Sequence, residues 1–169
     1  METKVMETKA KSTRIQPLLF LYDMHTNLFP NSIDGITDKD AHNRLNTKAN
    51  HVAWLAGSLV QQRAENAAML GANIKQAADE LFKDFKGIQD DLTYPSLSSY
   101  KADWEKVTPV FRNALLNISD EKLDSIFQMP DMSFPYFDMI AYGIHREAYL
   151  IGQIGLWRRL MGYEPMKFM

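Results

Sequence analysis

From Pro135 to Gly162 the chain reads P-Y-F-D-M-I-A-Y-G-I-H-R-E-A-Y-L-I-G-Q-I-G-L-W-R-R-L-M-G, apolar almost all round. A helix that is apolar on every side is a buried helix. Between Met139 and Trp157 the charged side chains are Arg146 and Glu147, with His145 beside them. Charges so near its middle argue against a bilayer span. Gly143, Gly152 and Gly155 each cost about 1 kcal/mol of helix propensity against alanine. Close approach of a neighbouring backbone would justify that cost.

The rest of the chain carries the same 3.6-residue period. Ile15, Leu18, Leu19, Tyr22, Thr26 and Phe29 form a first stripe, with Asp23 and His25 beside it, and Pro30 is expected to end that helix. Thr37-Asp38-Lys39-Asp40 starts a short helix to about Leu45. A second long helix runs from Thr47 to Leu70, with Gly71 as its C-cap. Val52, Leu55, Leu59 and Leu70 make its apolar stripe, and His51, Ser58, Gln62 and Glu65 its polar one. Asn73 to Phe85 reads as a further helical piece, and Lys86 to Ser96 as a loop. Tyr100, Trp104, Val107, Phe111 and Ile118 step along a third long helix that starts near Ser98 or Ser99 and is kinked at Pro109. Ser119-Asp120-Glu121 opens a short helix to Phe127, and Gln128 to Ser133 leads into the last helix. The pattern predicts an all-α bundle without a β-sheet. Its long helices lie near residues 14–29, 47–70, 98–118 and 134–162, in one domain over 13–169 behind a flexible terminus over 1–12.

Composition narrows the function classes. The chain has 169 residues, enough to bury a real core, and a formal net charge of -2 with its Lys and Arg spread along the length. A nucleic-acid footprint needs a concentrated basic face, so none is expected. With no cysteine there is no disulfide framework, thiolate metal site or cysteine nucleophile. The repeated M-E-T-K at the start reads as a polar, frayed end with no apolar signal segment, and there is no apolar run long enough for a membrane span. The expected location is cytoplasmic.

Two stretches carry more than period. N-H-V-A-W-L-A-G-S-L-V-Q-Q-R contains Asn50, Val52, Trp54, Gly57, Leu59 and Arg63. The last helix contains Gly152-Gln153-Ile154, Arg158-Arg159 and Gly162. Together they resemble the DinB/YfiT-like family, whose second helix reads close to N-x-I-x-W-x-x-G-H-L and whose fourth reads H-x-x-x-H-x-G-Q-(I/L). The resemblance implies a four-helix bundle of the up-down-down-up type with short extra helices, commonly paired as a homodimer. It also implies a divalent metal on three histidines, and in several members thiol-dependent transfer with bacillithiol or mycothiol, or maleylpyruvate isomerisation. Here the three histidine positions fall on Ser58, Arg146 and Leu150. None is a plausible ligand, and arginine is a fixed cation. His25, His42, His51 and His145 form no HxxxH pair. The expectation is therefore no metal and no cofactor.

Arg146 is the sharpest candidate. One reading is structural: an internal ion pair with Glu65 or Asp23, or a surface arginine. The other is an anion site in which the guanidinium forks onto a ligand, with Ser58, Gln62, His51, Tyr149 and Leu150 around it. No catalytic residue is assigned, because His51 and Ser58 lie about 10 Å apart along their helix, too far for nucleophile activation. Two function classes follow: a non-catalytic small-ligand protein that binds a small anion, or a thiol-dependent transferase or hydrolase of the DinB/YfiT type.

Overall fold

The computed structural model describes residues 9–168, and the chain is mostly helical. A 3-10 turn, Thr13–Ile15, leads into α1, Gln16–Ile33; α2 is Asp38–Ala41, α3 Val52–Met69 and α4 Asp79–Phe82. Then follow α5, Leu97–Asn117, α6, Asp120–Asp124, a hairpin of β1, Ile126–Gln128, and β2, Ser133–Pro135, and finally α7, Tyr136–Leu160. The four long helices α1, α3, α5 and α7 pack on one another, most extensively α3 on α5 and α7 on both α1 and α3. Side-chain oxygens cap the starts: Ser12, Thr37, Ser96 and Ser119 each accept a backbone N–H of the following first turn. Gly71 and Gly162, at positive φ, follow the ends of α3 and α7.

Several expectations are corrected. Pro30 does not end α1, which continues to Ile33. Proline removes the hydrogen bond to the carbonyl four residues earlier. That carbonyl, Thr26, instead accepts the Trp104 indole N–H at 3.2 Å. The segment from Asn73 to Phe85 is helical only at α4 and the 3-10 turn Lys83–Phe85. Before α4 the chain is held by tertiary bonds: the Ala77 N–H donates to the Asp103 carboxylate in place of a helical carbonyl, and the Gln76 side-chain amide donates to the Gly57 carbonyl and to Gln61. The helix expected to reach Leu45 stops at Ala41, and Leu45 and Asn46 take left-handed backbone. A small two-stranded sheet stands where none is expected: the short helix read to Phe127 ends at Asp124, and the expected linker from Gln128 to Ser133 belongs to the hairpin, with Phe127 opposite Phe134. Pro130 and Asp131 form its tip, closed by the Met129 N–H on the Met132 carbonyl at 2.8 Å. Order also begins before Thr13. Ala10 and Ser12 are buried, and the Lys11 N–H donates to the Leu116 carbonyl. Residues 1–8 of the expected flexible terminus lie outside the described residues.

Of the helix glycines, Gly143 is met closely by a side chain rather than by the expected backbone: a Cβ there would lie 2.2 Å from the Asn66 amide nitrogen. A Cβ on Gly57 would likewise lie 2.2 Å from the Phe82 ring, whereas one on Gly152 would face open space.

The apolar core forms two clusters, one containing Phe29, Leu59, Trp104 and Leu150, the other Tyr22, Ala67, Phe111 and Ile144. Between them along the helices lies a buried ion pair. Arg63 of α3 and Glu147 of α7 are fully buried, with Nε on Oε1 and Nη2 on Oε2, both at 2.8 Å. Arg63 Nη1 donates to the hydroxyls of Thr26 on α1 and Thr108 on α5, both at 2.9 Å. The guanidinium lies 3.4 Å from the ring centre of Trp104 and 4.0 Å from that of Tyr22. His25 Nδ1 stands 3.3 Å from Glu147 Oε2. Burial alone pushes the Glu147 carboxyl up, but the Arg63 charge and the bonds from Arg63 and His25 outweigh it and hold the carboxyl below its usual range. This contribution to stability is present above the unfolded carboxyl value of 4.5 and is lost as pH falls through the lower folded value.

Removing one partner strands the other charge. Glu147→Leu or Arg63→Met alone should each cost about 3–5 kcal/mol in urea denaturation at neutral pH. The double variant Arg63→Met/Glu147→Leu should be more stable than either single one. Additive losses would show that the pair is not what couples these helices.

Candidate functional site

Arg146 lies one residue before Glu147, about 100° round the helix, and faces a different environment. Its Nη1 donates to Gln62 Oε1 at 2.9 Å and its Nη2 to Ser58 Oγ at 2.8 Å. Arg146 meets Ser58 and Gln62 while Gly143 meets Asn66, so α3 and α7 run in opposite directions here. Beside this seam opens a cleft of about 1090 Å³. Its floor is α3 from Trp54 to Met69 and the first half of α7, where Asp138, Met139, Tyr142 and Arg146 line it. One wall is the hairpin, through Phe127, Met129, Met132 and Phe134; the other is Phe82, Phe85, Lys86 and Gly87.

The cleft gathers part of the expected set. Ser58, Gln62 and Arg146 are in direct contact, and Glu65 lines the same cleft. The other expected residues sit elsewhere. Leu150 is in the apolar core. Tyr149 points outward, 64% exposed. His51 is the N-cap of α3, its Nδ1 accepting the Trp54 N–H at 3.0 Å, and packs against His42 and Tyr94.

The expected counter-charge for Arg146 is also absent. Among the described residues Arg146 makes no ion pair. Asp23 is held by a two-pronged contact from Arg112 at 2.8 and 2.9 Å. Glu65 takes a hydrogen bond from Gln61 instead. Arg146 tolerates this because it is half-buried, open to the cleft, with two neutral acceptors. Desolvation of the Glu65 carboxyl pushes it up, against the Gln61 hydrogen bond and the Arg146 charge. Of the five N–H donors a guanidinium carries, two are used by Ser58 and Gln62. The Trp54 indole N–H has no protein acceptor either.

The sequence pattern does not mark the walls. The hairpin residues read as a linker, though Pro130-Asp131 between two aromatic-bearing triplets is a turn signal. Phe85 ends the 3-10 turn Lys83–Phe85 but does not pack inward. It is 87% exposed at the cleft rim, with φ 57, next to Asp84 at φ 58. Left-handed backbone costs a residue with a side chain roughly 1–2 kcal/mol.

Scanned against known protein families and searched against curated proteins, the chain matches none. The donor chemistry does not fit the divalent cation that the DinB/YfiT-like resemblance implies. Ser58 and the Arg146 guanidinium are bonded to each other, and Leu150 is an aliphatic core residue. Any cation at this point would meet a fixed positive charge.

His51 yields a pH prediction. Burial, then the neighbouring His42 charge, lowers its pKa to about 4. The unfolded chain therefore takes up a proton near pH 6.5 that the folded one refuses. Stability is full above that value and falls with pH down to about 4. Between pH 7 and pH 5 the loss from this residue should be about 2 kcal/mol. His51→Asn, which keeps a capping side chain, should remove that part of the loss in paired urea titrations. An unchanged pH dependence would show that His51 is not its source.

Proposed function

We propose that this protein is a DinB/YfiT-like bundle whose ancestral metal position has become an anion-binding point in a small-ligand cleft. The observation that carries the reading is Arg146: a guanidinium held by Ser58 and Gln62, without a carboxylate partner, at the edge of a cleft of about 1090 Å³. A rigid guanidinium with free donors favours a carboxylate, sulfonate or phosphate oxygen.

The family reading draws support from the jobs of the motif residues. Arg63 carries the buried ion pair, and Gly57 admits Phe82. Asn50 offers its carbonyl to the Trp157 indole at 2.9 Å, and buried Arg158 donates to the Ser32 and Asp34 carbonyls at the end of α1. The cross-helix pairs also suit an up-down-down-up order. His25 meets Glu147 and Ser32 meets Arg158, which makes α1 and α7 parallel. Tyr22 meets Thr108 and Thr26 meets Trp104, which makes α1 and α5 antiparallel. The thiol-transferase alternative requires a metal that Ser58, Arg146 and Leu150 do not hold, so the non-catalytic, ligand-binding reading is preferred.

One titration series tests this. Anilinonaphthalene sulfonate, an anionic apolar probe, should bind saturably, at least tenfold more weakly to Arg146→Leu and with intermediate affinity to Arg146→Lys. Equal affinity for wild type and Arg146→Leu would overturn the anion reading. In the same series Ser58→His, Arg146→His and Leu150→His combined should take up nickel or zinc in calorimetry. A folded triple variant that takes up neither would remove the family reading.

A homodimer is the second proposal. Tyr142, Tyr149, Leu156 and Leu160 form an outward stripe on α7, each 57–64% exposed. Gly152, at its centre, has nothing near it, and such a stripe suits an isologous helix pair. Light scattering should give a dimer at micromolar concentration and a monomer for Leu156→Glu. A monomeric wild-type protein would dismiss the pairing.

A further inference from the structure

We infer that the ligand of this cleft is a flexible amphiphile with a single carboxylate, of the alkanoic acid class, its head group on Arg146 and its chain laid along α3 towards Met69. The inference rests on the anion reading above and adds the shape and charge of the rest of the molecule. The first argument is length. From Ser58 and Gln62, where Arg146 is fixed, to Met69 at the cleft's far end is 7–11 helix residues, about 10–16 Å along the axis. A ligand anchored at Arg146 therefore fills the site by extension.

The second argument is the nature of the wall. Beyond Arg146 the wall facing α3 is lined by Met129 and Met132 with Phe127 and Phe134, and Met69 and Met139 flank Glu65 and Asn66 on the floor. Methionine side chains are unbranched and adaptable, and they suit a ligand that has no fixed outline of its own. A rigid planar molecule is served better by fixed aromatic slots.

Charge supplies the third. Glu65, Asp131 and Asp138 also line the cleft, against Arg146 and Lys86, and Lys86 Nζ is already bonded to the Glu80 carbonyl at 2.8 Å. A second negative group on the ligand would meet these carboxylates, so dicarboxylates and polyphosphates are disfavoured and one charge is accommodated. The exposed Phe85 at the rim, in left-handed backbone, adds apolar surface at the mouth.

The test varies head group and chain independently, by calorimetry on the full-length protein below the micellar concentration of each probe. Butanoate, octanoate and dodecanoate should bind with affinity rising about fourfold per methylene until the cleft is filled. Dodecanol should bind at least tenfold more weakly than dodecanoate, and Arg146→Leu should erase that difference. Met132→Asn, a neutral change on the exposed hairpin, should weaken dodecanoate at least tenfold and butanoate by less than twofold. If butanoate binds as tightly as dodecanoate, or Met132→Asn leaves dodecanoate unaffected, the chain-binding inference fails while the anion site stands. If dodecanol binds wild type as tightly as dodecanoate does, the anion site itself fails. If the sulfonate probe binds through Arg146 but none of the alkanoates does, the ligand class is wrong and the site is right.

Discussion

The Arg63–Glu147 pair is the constraint that the helix arrangement answers to. A guanidinium and a carboxylate removed wholly from water cost several kcal/mol each unless every polar direction is met. Here the partners come from all four long helices: Tyr22, His25 and Thr26 from α1, Arg63 from α3, Trp104 and Thr108 from α5, and Glu147 from α7. A one-turn slip of any of these helices would leave a charge or hydroxyl unpaired. Apolar stripes tolerate such slips far better, because one leucine is much like the next. A buried pair adds little net stability over a hydrophobic replacement. Its physical effect is to separate the correct register from its neighbours.

Arg146 and Glu147 are consecutive and perform opposite tasks. The hundred-degree step of a helix sends Glu147 inward to a cation and Arg146 sideways to Ser58 and Gln62. Tyr149 and Leu150, three and four residues on, stay near that face by helix period but lie one turn further along the axis, where Leu150 packs into the apolar core and Tyr149 faces outward. The residues of α7 that line the cleft are Asp138, Met139, Tyr142 and Arg146.

The long helices are legible because their stripes act locally, and the period of α5 needs no tertiary partner to be read. The capping oxygens of Thr37 and Ser119 mark the short α2 and α6, whereas α5 starts on Ser96 rather than on Ser98 or Ser99. Pro30 misled because its cost is relieved by Trp104, a residue 74 positions away. The segment before α4 departs from its pattern because Asp103 takes the Ala77 N–H and the Gln76 side chain anchors the segment on α3. At the site, Ser58, Gln62 and Arg146 were found through one polar helix face and a family motif. Glu147, the one acid between Met139 and Trp157, is a signal in the sequence for a buried partner such as Arg63, but its neighbour Arg146 offers the same stretch a second charge. The cleft walls depend on two short segments folding over α3, and no periodicity announces that.

Those two segments differ from the rest of the molecule in what they support. The hairpin contributes nothing to either buried apolar cluster, and its Ile126, Met132 and Phe134 are exposed. The turn after Phe82 likewise leaves Phe85 outside. Sequence change there would reshape the cleft walls without touching either buried cluster. Frame and walls are thus mechanically separate: a register fixed by one buried charge pair admits few substitutions, while the surface segments above it can change their side chains on an unchanged frame.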